Sequence, residues 1–175
     1  LSVFNLLVYS PEELGSITMM EKPNEDTVVN NNITDPISLD IQHSLYVKGN
    51  VITQGEIHST EGDIIISGVL KGKDEDNKIF LECGNKLSAR RIELAEIRAG
   101  GTIEANEGIY KSNVYAQNGV RVDEGSLCSG SFYAENWIRA KELGNEKGEE
   151  TIVQVGSPEN ITSPEIEQLN NQIIE

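Results

Sequence analysis

The sequence predicts an all-β chain, a parallel β-helix of short stacked coils followed by a short α-helix, and three observations predict it. First, aliphatic residues recur at steps of five to seven from Leu87 onward: Leu87, Ile92, Ile97, Ile103, Ile109, Val114, Val120, Leu127, Phe132, Ile138, Leu143. An α-helix has no such period, and simple strand alternation would not reset so regularly. Second, a small residue often follows two positions after the aliphatic, as in Leu87-Ser88-Ala89, Ile97-Arg98-Ala99, Ile103-Glu104-Ala105, Val114-Tyr115-Ala116, Phe132-Tyr133-Ala134 and Ile138-Arg139-Ala140. Residues i and i+2 of a strand share a face, so each triplet turns one large and one small apolar group inward and one other group outward. Third, turn residues separate the triplets: Gly100-Gly101, Glu107-Gly108, Asn118-Gly119 and Glu124-Gly125. Strand, corner, strand, corner at about six residues each gives three faces per coil and a coil of about 17–18 residues.

Taken in chain order, residues 1–40 hold short apolar runs between polar stretches such as NEDTVVNNNITD, and read as an irregular or capping segment. Residues 41–156 read as the β-helix, with about six coils. Its early half follows the rule less cleanly, through Leu45-Tyr46-Val47, Val51-Ile52-Thr53, Ile57-His58-Ser59 and Ile64-Ile65-Ile66. The run Lys71 to Lys78 (KGKDEDNK) breaks the period and reads as a loop inserted at one corner. Residues 157–175 read as a linker and helix: Ser163 as N-cap, Pro164 at the first helical position, then Ile166, Leu169 and Ile173 on one stripe, the start of a coiled coil. That helix predicts a homo-oligomer.

Composition agrees with a narrow, layered core. Of 175 residues 37% are hydrophobic but only 5% aromatic, so the interior must be built from Ile, Val, Leu and Ala. The net charge of −15 argues against nucleic acid and anionic membrane surfaces as partners. No apolar run has membrane-spanning length, so no membrane insertion is expected. The apolar start, Leu1 to Tyr9, lacks the basic flank and cleavage site of a signal peptide. Cys83 and Cys128 lie far apart without metal or redox spacing and fit reduced thiols of a cytoplasmic protein.

The residues also carry a resemblance. Gly49-Asn50-Val51-Ile52 and Gly62-Asp63-Ile64-Ile65-Ile66-Ser67-Gly68 resemble the "GDIxIxG" coils of the bacterial flagellar assembly protein A family. The stretches Gly125 to Ala134, Ile138 to Gly144 and Glu150 to Gly156 are similar to that family's "GxIxGGxxxA…IxAxxIGs…TxIxVG" ending, which precedes a coiled coil. The departures are Ser129 and Ser131, which flank a single Gly130 where the family has paired glycines. The resemblance spans Leu45 to Glu175. It implies right-handed winding, a cytoplasmic location and a role in flagellar assembly or cell-pole organisation, with no known catalytic residues. Bactofilins and the C-terminal domain of the division inhibitor MinC have related short β-helices.

No catalytic, cofactor or metal site is expected from the residues. Hexapeptide acyltransferases share the period and form the enzymatic alternative, but they need a histidine base in a cleft. His58 sits in an outward slot and His43 precedes the first clear coil; neither has a nucleophile or metal-ligand companion in the sequence. Asp74, Glu75, Asp76 and Asn77 offer oxygens without the alternating spacing and the glycine of a calcium loop. Gly100-Gly101 lacks the Lys-Ser/Thr of a phosphate loop. Tyr110, Tyr115, Tyr133 and Trp137 are the candidate partner-binding residues, since exposed aromatics mark interfaces. The sequence thus points to a non-enzymatic scaffold that binds protein partners through its faces. A bactofilin-like filament is the third reading.

Overall fold

The computed structural model describes residues 6–11 and 25–156. Over the described residues the chain winds as a parallel β-solenoid of about seven turns with three strand positions per turn. Strand β1 (Leu6–Tyr9) lies ahead of the first complete turn. Turn one is β2 (Asp26–Val29), the single bridge residue Ile33, and β3 (Ile37–Ile41). Turn two is β4 (Leu45–Val47), β5 (Val51–Ile52) and β6 (Gly55–Ser59); turn three is β7 (Ile64–Ile66), β8 (Val69–Lys71) and β9 (Ile79–Cys83). Turn four is β10 (Leu87–Ala89), β11 (Arg91–Glu93) and β12 (Ala95–Ala99). In turn five β13 (Thr102–Ala105) is followed by β14 (Gly108–Ala116), and in turn six β15 (Gly119–Val122) by β16 (Ser126–Ala134). These two nine-residue strands run through a corner and serve two faces each. Turn seven is β17 (Trp137–Arg139), β18 (Glu142–Leu143) and β19 (Thr151–Val155).

The count corrects the expected six coils to seven. The six turns from Leu45 onward are those the triplets mark out, and the seventh is built from Asp26 to Ile41, within the stretch that reads as irregular. Two features hide it. Thr27 stands where the other turns carry a large aliphatic, in register with Leu45, and the second face is reduced to one residue, Ile33 bridged to Val51. The Asn-rich run before Ile33 is a corner, where Asn32 Oδ1 accepts the Asn50 amide at 2.8 Å. The predicted helix after Ser163 lies outside the described residues.

Register turns the sequence pattern into a layered core. On the first face Leu45, Ile64, Leu87, Ile103, Val120 and Ile138 stack in one inward column. On the third face Leu39, Ile57, Leu81, Ile97, Val114, Phe132 and Val153 do the same, beside a smaller column of Ile41, Ser59, Cys83, Ala99, Ala116, Ala134 and Val155. The second face sends in one aliphatic per turn: Val51, Leu70, Ile92, Ile109, Leu127 and Leu143. This explains why triplets alternate with bare aliphatics in the sequence. The triplets are the first and third faces, and the lone residues the second. A cross-section this narrow has room for a small group beside each large one, which is why alanine recurs.

The corner between the second and third faces has its own device. Leu94, Lys111 and Ser129 occupy stacked positions in turns four to six, and each takes a left-handed conformation, with φ of 53°, 49° and 57°. One residue of this kind turns the strand direction in place of a longer loop. Ser129 therefore fills a position suited to glycine, while Ser131 is an ordinary strand residue paired with Asn113. The same corner accepts insertions. The Gly72 amide donates to Glu93 O and the Ile79 amide to Leu94 O, so the loop between them leaves the coil and returns to it without disturbing the register.

Thr27 is fully buried, and its hydroxyl has no hydrogen-bond partner among the described residues. An unsatisfied buried hydroxyl costs about 1–3 kcal/mol, and valine has nearly the same shape. Thr27→Val should therefore stabilise the first turn by ~1 kcal/mol. A denaturant titration would show a raised midpoint; an unchanged or lowered one would mean that the hydroxyl is satisfied in solution.

Candidate partner-binding face

Outward positions stack as regularly as inward ones, and their chemistry separates the faces. On the first face Glu104 receives Lys86 at 3.0 Å and Arg121 at 3.6 Å. On the second, Glu93 pairs with Lys71 at 3.6 Å and Arg91 at 3.4 Å, and the Arg91 guanidinium lies 4.4 Å from the Tyr110 ring centroid. Neighbouring turns thus neutralise one another's charges along these two faces.

The third face is different. Its outward column reads Asp40, His58, Glu82, Arg98, Tyr115, Tyr133 and Gln154 through turns one to seven. Among the described residues no Lys or Arg ion pair crosses it. His58 lies 3.4 Å from Glu56 and 3.8 Å from Glu82, contacts that are ionic only when the imidazole is protonated, and its ring packs at 5.5 Å against Phe80. Tyr115 and Tyr133, in register on consecutive turns, stack with centroids 5.0 Å apart and planes within 6°. The parallel ladder sets that spacing, because identical side chains on adjacent strands sit about 4.8 Å apart. The Tyr115 hydroxyl donates to Glu135 at 2.8 Å, and the Tyr133 hydroxyl donates to Gly156 O. Burial, reinforced by nearby Glu135, pushes the Tyr133 phenol above its usual range. A groove of about 900 Å³ runs along this face from turn one to turn five, lined by Asp40, Glu56, His58, Glu82, Arg98 and Tyr115 among others.

The four aromatic candidates are thereby distributed over three faces. Tyr115 and Tyr133 meet on the third. Tyr110 lies on the second, folded back so that its hydroxyl reaches Glu107 O at 3.1 Å. Trp137 lies on the first, in register with Gly119, and is 36% exposed. The groove beside the tyrosine pair was not legible in the sequence. Its members stand 16 to 24 positions apart, unevenly, because the loop after Gly72 lengthens one turn.

Other sequence candidates find structural employment. The backbone carbonyl of His43 accepts the Ser59 hydroxyl at 2.6 Å. Asp74 Oδ1 accepts the amides of Asp76 and Asn77 and the Asn77 side chain, at 3.0, 2.9 and 2.8 Å; chiefly the last holds its carboxyl below the usual range. Gly100 lets its corner approach the turn above: a Cβ there would sit 2.2 Å from Gly84 O. Both cysteines are buried. Burial pushes the Cys83 thiol up to about 12, and Cys128, raised by burial and by Glu149, faces Thr151. Neither is a ready nucleophile. Among the described residues no three His, Cys, Asp or Glu side chains gather to hold a metal ion, and no helix is long and apolar enough to cross a membrane.

Among known families, the model of the flagellar assembly protein A beta solenoid domain matches residues 24–175. No curated protein and no solved structure matches.

Proposed function

Since the chain belongs to the flagellar assembly protein A β-solenoid family, we propose that it acts as a non-catalytic scaffold in flagellar assembly, holding a protein partner on the outer surface of its third face. The observation that carries this reading is the stacked Tyr115–Tyr133 pair beside the groove, on the face where no Lys or Arg ion pair is found among the described residues. Burying a face laced with ion pairs costs desolvation of every charge. Tyrosine offers a large, rigid, amphipathic surface that loses little entropy on binding. Right-handed winding and a cytoplasmic workplace belong to the same proposal, through the family.

The test is complementation. A strain lacking this gene would receive either the wild-type chain or the Tyr115→Ser/Tyr133→Ser variant, with flagella counted by microscopy and folding checked by thermal melting. The variant should fold and fail to restore flagella, while Ile52→Ser on the second face should restore them fully; His58→Gln, which cannot act as a general base, tests the enzymatic alternative. Normal flagellation with the tyrosine variant would sink the assignment of this face. Loss with His58→Gln alone would favour the acyltransferase reading, and no flagellar defect in the deletion strain would remove the assembly role.

A further inference from the structure

The two ends of the solenoid are not alike. In the first turn the core residues Val29, Ile33, Leu39 and Ile41 are no more than 1% exposed. In the last turn the residues that continue the inward columns are open: Leu143 is 61% exposed and Val155 48%, while Ile138, Ala140 and Val153 are only partly buried. Strand edges do not carry the contrast: among the described residues β1 and β3 at the first turn, like β17, β18 and β19 at the last, each have a neighbour on one side only, so the difference lies in the core.

Natural proteins blunt exposed strand edges with charge, proline or a bulge. Strand β19 has none of these in its sequence Thr151-Ile152-Val153-Gln154-Val155. It is an uncharged, β-branched edge lying beside an open core. That combination calls for another polypeptide edge rather than a small ligand.

We infer that the occupant is a second copy of this chain, and that two copies meet tail to tail through turn seven about a two-fold axis. The charge pattern favours the copy. Around the apolar end stand Arg139, Lys141 and Lys147 with Glu142, Glu146, Glu149 and Glu150. This rim is close to neutral in a chain of net charge −15, so two such ends can approach without the repulsion that the whole molecule exerts. A two-fold axis across the solenoid axis sets the facing edge strands antiparallel, a pairing at least as good as the parallel one within each copy. The asymmetry of the ends decides the assembly. At the first turn the inward residues are already covered, so contact driven by the open apolar residues of turn seven closes through this end as an isologous dimer and does not propagate as a filament.

Sedimentation velocity of the full chain over a wide concentration range tests this. The wild type should show a reversible dimer. Leu143→Lys/Val155→Lys should weaken it by ~30-fold or more, the effect of losing a central apolar contact worth at least about 2 kcal/mol. Ile52→Lys, a comparable substitution at a 43% exposed residue far from the end, should leave the dimer intact. Leu169→Asp, on the stripe that reads as a coiled-coil seam, should also leave it intact. The inference fails if the wild type is monomeric at the highest concentration reached, or if it grows into open polymers. It fails equally if dimerisation is lost with Leu169→Asp but not with the end variant, which would assign the contact to residues 157–175.

Discussion

Phe132→Ala is expected to lower stability by ~3–5 kcal/mol, the usual loss when a buried aromatic ring is deleted from a core. Phe132 is fully buried and heads the fully buried side chains by volume. It occupies the large inward column of the third face between Val114 of turn five and Val153 of turn seven. In a chain with so few aromatics it fills space that the other turns fill with Leu, Ile or Val. The ring's removal cannot be absorbed by collapse, because the ladders of β14, β16 and β19 fix the spacing of the walls. Solenoid stability is close to a sum of terms for each turn and each interface between turns. The loss should therefore be local. Hydrogen exchange should accelerate in turns six and seven while turns two to four keep their protection. A uniform loss of protection would show that the seven turns unfold as one cooperative unit.

Gly130→Val is expected to cost about 3 kcal/mol or more, from backbone strain added to a main-chain collision. Gly130 has φ of 139°, a region that side chains rarely adopt, and a Cβ there would lie 2.0 Å from Ser112 O. Ser112 cannot step aside easily: its hydroxyl donates to Tyr110 O at 2.7 Å and accepts the Ala95 amide at 3.1 Å. The neighbouring position supplies a control. Ser129 is left-handed at φ 57° and half-buried, so Ser129→Gly relieves about 1 kcal/mol of strain against the extra entropy that glycine gives the unfolded chain. It should be near neutral. Denaturant midpoints for the two variants measure both. If Ser129→Gly destabilises as much as Gly130→Val, the corner depends on the serine side chain and not on backbone geometry.

The fold was legible because the core is periodic. Each triplet such as Ile103-Glu104-Ala105 reports its own strand, its inward face and its corner without any knowledge of neighbours. The first turn escaped this reading because Thr27 interrupts the aliphatic column and Ile33 is a whole strand position reduced to one residue. The Tyr115–Tyr133 stack was partly legible, since both are the middle residue of a triplet. The separation of Tyr110 and Trp137 from that pair was not. A residue's outward direction follows from local alternation, but its face depends on its phase within the turn.

By itself, then, the sequence determined the strand class, the inward and outward slots from Leu87 on, and the loop at Lys71–Lys78, of which the structure returns only Lys71 to strand β8, since these follow from alternation and turn chemistry within a few residues. The number of turns, the grouping of Glu56, His58, Glu82 and Tyr115 along one groove, and the difference between the two ends were decided only in three dimensions. Corner loops of unequal length shift each turn against the next by an amount no fixed period contains. Only the hydrogen-bonded ladder, which aligns residues 16 to 24 positions apart, brings those side chains into register.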